Sequence, residues 1–334
     1  MKRIGLAFTG VPFSVKELTD HAKLAEENEF ESIWFMEDYY LRDAFSTLAS
    51  FALATKKIKI GTGVINPYTR HPALIATSMA TLDELSSGRA ILGMGAGVPA
   101  LLKQMVDYKK PLATVRESVS FIRELLAKRR VTFHGEMVHA EDIIFGYCPY
   151  FDPFGKFEPI RNRIPTYVAG MGPRMLQLAG EIGDGVLISA GFSTELVKSA
   201  IENVKIGAKR GNRSLEEIDI AGYIVSCVSK DGHISEETKG FVACCISQFF
   251  DLQALKLSGF EEEEVQPLRE AFAKGGYKEA LKYVTDEMVK VFTASGRPEE
   301  CREKIKEFEK AGIKLPIVAP LGSKDIRLAI DVLR

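Results

Sequence analysis

Only five of the 334 residues are cysteine (Cys148, Cys227, Cys244, Cys245 and Cys301), and none stands in a C-x-x-C pair. That excludes a zinc ribbon and a dithiol redox motif. In a chain this long it points to free thiols in a reducing compartment. Charge of neither sign is in surplus, with 44 Lys and Arg against 45 Asp and Glu. No basic excess is present to hold nucleic acid. Apolar runs are short, and none nears the roughly 20 residues of a membrane span. The N-terminal MKRIGLAFTG breaks at glycine and reads as a first strand, not a leader. The expectation is a cytoplasmic protein whose partner is a small molecule, with no nucleic acid and no membrane involved.

What is present is an alternation. Short apolar runs begin at Ile4 (IGLAF), Ser32 (SIWFM), Lys57 (KIKIGTG), Ala90 (AILGMG), Pro165 (PTYVAG), Gly185 (GVLISAG), Ile220 (IAGYIVSCV) and Pro316 (PIVAP). Continuous apolar runs of strand length suit strands buried on both faces of a parallel sheet. Between them, apolar residues recur at helical spacing, as in Val15, Leu18, Ala22 and Ala25, or Val115, Val119, Ile122 and Leu126. Pro72 and Pro173 stand where first-turn prolines are tolerated, and Gly312 stands where a helix C-cap belongs. Eight strands alternating with about eight helices predict an α/β fold, a (β/α)8 TIM barrel forming one domain over residues 1–334. Two segments break the rhythm: an insertion rich in Phe, Tyr, Pro and Gly at about 130–164, and a helical one at about 230–296. Both could cover the barrel mouth. Glu261 to Glu264 is expected to cap a helix or face solvent.

In such a barrel the active site is built from the C-terminal ends of the strands. Those ends read Ala7 to Gly10, Glu37-Asp38-Tyr39, Gly63-Val64-Ile65-Asn66, Gly93 to Gly97, and Ala169-Gly170-Met171-Gly172. The last offers free backbone N–H groups beside a helix N-terminus. That is an anion site in which a phosphate fits and to which Arg174 could add charge; a plain tight turn is the alternative. Glu37 and Asp38 follow Trp34 and Phe35, where solvated charge is seldom placed. Strand alternation turns them to opposite sides, and burial of either would raise its pKa and let it hold a proton near neutral pH. The alternative is a helix cap or an ion pair with Arg42. GAGVPA (Gly95 to Ala100) matches G-x-G-x-x-A, but it follows a fourth strand and no acid ends the next one, so it is not a dinucleotide site. The histidines of HGEMVHAED (His134 to Asp142) are five apart, which suits a surface hairpin and not a zinc helix. His71 is a pocket-lining candidate. GTGVINPYTRHP (Gly61 to Pro72) spends two glycines and an Asn-Pro turn at the exit of a core strand, which implies that something lies against that backbone.

WFMEDYY, AFSTLA, KIKIGTGVINPYTRHP, MATLDELSSGRAILGMGAG and VAGMGPRMLQLAGEIGDGVL together resemble the bacterial luciferase-like superfamily. They are most similar to its coenzyme F420-dependent branch, the methylenetetrahydromethanopterin reductases. The resemblance runs over most of residues 1–229 and more weakly to the end. It implies a non-prolyl cis peptide at Gly63-Val64, in a bulge that backs a deazaflavin ring and also involves Asn66. It places Gly95, Ala96 and Gly97 along the cofactor, and Ala169, Gly170, Met171 and Gly172 at its phosphate. The activity implied is hydride transfer between the deazaflavin and an organic substrate such as methylenetetrahydromethanopterin, in a homodimer or higher homo-oligomer. Glu37 and Asp38 are then the expected catalytic residues. The chain departs from the reductases at Ala7, where they carry glutamate, and at Glu37-Asp38, where they carry Asp-His. Two other readings stay open: an FMN-dependent luciferase-like monooxygenase, and a flavin-binding barrel without catalysis.

Overall fold

The computed structural model describes residues 3–150, 155–323 and 325–333. Residues 151–154 of the expected aromatic insertion lie outside the described residues, as do positions 1, 2, 324 and 334 of the expected domain. The strands are β1 (Gly5–Phe8), β2 (Ser32–Phe35), β3 (Lys59–Thr62), β4 (Ala90–Met94), β5 (Arg130–His134), β6 (His139–Ile144), β7 (Thr166–Gly170), β8 (Gly185–Ile188), β9 (Asp219–Val228), β10 (Ala294–Gly296) and β11 (Leu315–Ala319). Eight of them, β1 to β4, β7 to β9 and β11, form a closed parallel (β/α)8 barrel, and each lies on one of the eight apolar runs. The strand expected over Lys57–Gly63 is shorter. The backbone N–H groups of Lys56, Lys57 and Ile58 go to the Glu26 carboxylate, so these residues are spent before the ladder begins.

The chain clusters into two compact units. Phe8–Leu187 with Asn203–Asp219 carries β2, β3, β4 and β7 in parallel register, Trp34 opposite Gly61 and Leu92 opposite Thr166. Its helices include α1 (Val15–Glu27), α2 (Ala44–Ala54), α3 (Pro72–Leu85), α4 (Pro99–Leu102), α5 (Pro111–Lys128), α6 (Pro173–Ile182) and the C-terminal half of α7 (Thr194–Arg210). Trp34 is fully buried, its ring against Tyr167 at a centroid distance of 5.6 Å and its indole N–H donating to Ser32. A Cβ on Gly61 would run into that ring, and a Cβ on Gly185 into Tyr167. These two glycines make room for the aromatic filling of the core.

The lower rim of this unit is held by two arginines. Arg89 donates to the carbonyls of Ala52, Thr55, Ile58 and Ser86 and to the Thr55 hydroxyl. Arg161 makes a bidentate pair with Asp83, whose carboxylate also accepts from Ala90 N. The histidine-bearing segment is the expected antiparallel hairpin, β5 against β6, with His134 opposite His139.

The other unit comprises Met1–Ala7, Ile188–Glu202 and Ile220–Arg334. In it β11 lies between β9 and β1, and β10 pairs in parallel beside the end of β9. The expected helical insertion at 230–296 contains α8 (Glu236–Cys244), α9 (Leu252–Leu257), α10 (Glu262–Gly275), α11 (Tyr277–Ala280) and α12 (Asp286–Phe292), with a π turn at Cys245–Phe249. It surrounds Phe292, whose ring stacks on Phe250 at 5.4 Å and meets Phe260 at 5.6 Å. Glu261 caps α10 in a reciprocal capping box with Glu264, so the acidic run sits at a helix N-terminus where negative charge is favoured.

Candidate active site

The exit of β3 carries one residue too many. Gly61 pairs with Ile91 on β4, but Ile65 pairs with Met94, so four steps on one strand match three on the other. That is a β-bulge, the device by which a strand re-aims its backbone beside a site. Thr62 closes the gap, its hydroxyl bridging Gly93 N and Gly93 O at 2.8 Å each. Gly63 N donates to Phe35 O, and the ladder resumes with Ile65 N to Gly93 O and Gly95 N to Ile65 O. The Gly63–Val64 peptide bond is cis.

Asn66 follows the bulge and is 2% exposed. Its Oδ1 accepts from Tyr68 N, Thr69 N and the Thr69 hydroxyl, the Asx turn that the Asn-Pro sequence suggests. Its backbone N and Nδ2 both donate to Glu37 Oε2, at 3.3 and 2.8 Å. Glu37 is half-buried. Burial pushes its pKa above the usual carboxylate range, against the pull of the two Asn66 bonds and the Arg70 charge. A nearby carboxylate, Asp43, adds to the rise. Asp38 turns the other way, as alternation predicts, and accepts from Gly10 N at 2.9 Å. Arg42 does not pair with either acid in the expected manner; its guanidinium donates to the Gly10 carbonyl.

The end of β4 meets this group. A Cβ on Gly95 would lie 3.1 Å from Val64 Cγ2 and 3.3 Å from Ala169 Cβ. Gly97 has φ +73, a left-handed conformation that disfavours side chains, and a Cβ there would lie 2.8 Å from the Tyr39 hydroxyl and 3.3 Å from Asn66 Cβ. Glu37, Val64, Asn66, Gly95, Gly97 and Ala169 therefore form one contiguous patch at the C-terminal ends of β2, β3, β4 and β7. Gly63, Ala96 and Met171 lie half-buried on the same loops. Gly170 packs into the start of α6, where a Cβ would meet Met175 at 3.0 Å.

Gly172 differs from Gly170. It is the N-cap of α6, exposed, and a Cβ there would touch nothing within 4 Å, with Pro173 and Arg174 also exposed beside it. The helix has no side-chain cap; Pro173 has no N–H, Met175 N and Leu176 N donate to Gly172 O, and Gly172, Pro173 and Arg174 leave the helix start open on its outer side.

Two expectations fail or shift. His71 does not line the pocket; its Nδ1 accepts from Ala73 N as the cap of α3, and its Nε2 lies 3.3 Å from His139 O on the hairpin. Gly61 lies under Trp34, so one of the two glycines that drew attention to this stretch serves the core. Two contributors went unread in the sequence. Tyr39, at φ +53, accepts from Val98 N at 2.6 Å and so fixes the loop after β4. Thr62 bridges the bulge. Neither residue type signals such a role; a register count across β3 and β4 would have exposed Thr62.

The barrel, the bulge and the patch at the strand ends place a candidate site where (β/α)8 enzymes carry theirs. The family model described as luciferase-like monooxygenase matches residues 3–315, and the chain belongs to that family. Within it the chain is similar to a 5,10-methylenetetrahydromethanopterin reductase of Archaeoglobus fulgidus, 35% identical over 92% of this chain and 90% of that protein. An F420-dependent glucose-6-phosphate dehydrogenase of Amycolatopsis mediterranei is 27% identical over 94% of this chain and 91% of its own length. The solved coenzyme F420-dependent tetrahydromethanopterin reductase of Methanopyrus kandleri superposes with a TM-score of 0.87 at 31% identity, over 99% of this chain and 97% of that one. The resemblance read from the motifs is borne out, and with it the barrel.

Proposed function

We propose that this protein is an F420-dependent oxidoreductase that moves a hydride between the deazaflavin and a small organic substrate. The observation that carries the reading is the contiguous patch at the ends of β2, β3, β4 and β7, in a chain more than nine-tenths of which aligns with a methylenetetrahydromethanopterin reductase. The residues fit the cofactor on their own evidence. Gly95 and Gly97 let the chain after β4 pack closely against Val64 and Asn66 of the bulge, and the open start of α6 at Gly172 leaves room for a phosphate.

When bound, F420 supplies the hydride at its C5 position; the protein supplies position and electrostatics. In this reading Val64, Gly95, Ala96 and Gly97 present backbone surface to the ring. Gly63 and Asn66 hold the bulge in place around Val64. Ala169, Gly170, Met171 and Gly172 present the phosphate cradle. Glu37, aimed by Asn66 and with its pKa raised by burial, is placed to pass a proton to the substrate as charge develops. Asp38 acts with it by fixing the Gly10 loop on the opposite side.

The substrate proposed is a pterin of the methylenetetrahydromethanopterin kind. We place the enzyme in the cytoplasm, as one domain over residues 1–334 and as a homo-oligomer. Among the described residues no helix is long and apolar enough to cross a membrane. The deciding experiment adds F420 and FMN separately to purified protein. Binding of F420, with reduced F420 regaining its colour as methylenetetrahydromethanopterin accepts the hydride, supports the reading. A bound FMN that reoxidises in air replaces it with a monooxygenase, and binding without turnover on any acceptor replaces it with a carrier.

A further inference from the structure

The hairpin of β5 and β6 ends in a pair of facing histidines. His134 and His139 are opposite each other in register, their ring centroids 4.9 Å apart and their Nδ1 atoms 3.3 Å apart. Two nitrogens bound to one tetrahedral ion at about 2.0–2.1 Å stand about 3.3–3.4 Å from each other. The rings are thus already spaced as the edge of a metal tetrahedron. Glu141 completes the group, and ligand atoms of all three residues lie within 4.8 Å of one another.

The arrangement also accommodates the tautomer that a metal needs. The Glu141 carboxylate lies 3.6 Å from His134 Nε2, where a short rotation lets it accept that N–H. A proton kept on Nε2 leaves Nδ1 bare and facing the partner ring. Two facing lone pairs repel unless one ring donates or a cation lies between them.

The tip that carries these rings is fixed before any ion arrives. Gly135 N donates to Val138 O at 2.9 Å. The Glu117 carboxylate on α5 accepts from Glu136 N, Met137 N and Val138 N at 3.0, 2.7 and 2.9 Å. Phe133 packs on Phe121 at 5.6 Å, and His139 O meets His71. Ligands on a turn held this way lose little freedom on binding.

We propose that His134 and His139 form a surface site for a borderline transition cation, with Zn2+ as its type. The two Nδ1 atoms are the ligands and the Glu141 carboxylate orients His134 from behind. All three side chains are exposed, so water fills the remaining positions. The ion staples the two strands at their closing pair. This site is separate from the strand-end patch and does not depend on the oxidoreductase reading.

The test uses the full chain, stripped with chelator and titrated with Zn2+ by calorimetry, with Co2+ as a spectroscopic probe. The expected result is about one saturable equivalent, together with a visible Co2+ band of tetrahedral intensity. Glu141→Gln should weaken binding by about tenfold, as loss of an orienting carboxylate does. His134→Ala and His139→Ala should each abolish the equivalent and the band without altering the circular dichroism, since both side chains are exposed. Amide exchange over residues 130–144 should slow with Zn2+ in the parent chain and not in the variants. Absence of saturable binding, or an equivalent that survives the double alanine variant, overturns the proposal.

Discussion

Asn66 is the joint between the bulge and the half-buried acid, and Asn66→Asp tests that joint with almost no change of shape. The substitution keeps Oδ1, and with it the bonds from Tyr68 N at 3.0 Å, Thr69 N at 3.0 Å and the Thr69 hydroxyl at 3.2 Å. What changes is the donor at Nδ2, 2.8 Å from Glu37 Oε2, which becomes a second carboxylate oxygen. Two unit charges about 4 Å apart at an effective dielectric constant of about 20 repel by about 4 kcal/mol. Protonating an ordinary glutamate at pH 7 costs about 1.4 kcal/mol per unit over roughly 2.7 units, or about 3.7 kcal/mol. The two costs nearly match at pH 7, so the native pair takes up one proton as the pH falls through neutrality.

The sign follows from linkage. The native variant binds a proton that the unfolded chain releases, so its stability falls as pH rises. We expect the variant to be less stable than the parent by about 3–4 kcal/mol at pH 7 and by only about 1 kcal/mol at pH 5. Asn66→Ala removes the donor without adding charge and should cost about 2 kcal/mol with much weaker pH dependence. Urea unfolding at pH 5, 6, 7 and 8 reads both. Parallel pH profiles for the two variants would show that Asn66 and Glu37 do not share a site, and the joint would be refuted.

Glu37→Gln should slow F420-linked turnover by about a hundredfold while changing F420 affinity little; unchanged kcat would remove Glu37 from the chemistry. Because burial raises the Glu37 pKa, its contribution to stability is present below the ordinary carboxylate range and is lost as pH rises through the folded value. The same variant should therefore flatten stability against pH just above that range. Gly172→Val should leave the unfolding midpoint unchanged, because φ is −82 and nothing lies near, yet weaken F420 binding by about tenfold. Equal affinity would move the phosphate elsewhere. Arg161→Met leaves the buried Asp83 carboxylate without its guanidinium and should cost about 3–5 kcal/mol in urea unfolding. Asp83→Asn in that background should recover part of the loss, and no recovery would mean that the charge is not what costs.

The barrel was legible because strands buried on both faces are apolar throughout, and eight such runs alternate with segments of helical spacing. All eight runs, the two first-turn prolines at Pro72 and Pro173, and the hairpin at His134 to Asp142 stand where the pattern puts them. The site was legible only by position: strand ends can be read, but partners across strands cannot. Glu37 and Asp38 were singled out as acids in the wrong place. That Glu37 meets Asn66 and Asp38 meets Gly10 depends on register, which no local spacing encodes.

The stretch from Gly61 to Pro72 shows why composition alone misassigns cause. Its composition implies a backbone with something lying against it, but its residues answer to three different neighbours. Gly61 yields to Trp34 inside the core, Thr62 and Gly63 tie the bulge to β4 and β2, and His71 caps α3 and touches the hairpin. Val64, Ile65 and Asn66 meet the glycines of the candidate site, the first two at Gly95 and Asn66 at Gly97. The motif SSGRAILGMGAG divides the same way along β4. Arg89 anchors the lower rim, while Gly95 and Gly97 face the bulge at the opposite end of the strand. A barrel strand therefore carries stability at one end and chemistry at the other, and a continuous motif spans both. Substitutions at Arg89 should act on folding and substitutions at Gly97 on ligand binding, although the two residues belong to one motif and lie only a strand apart.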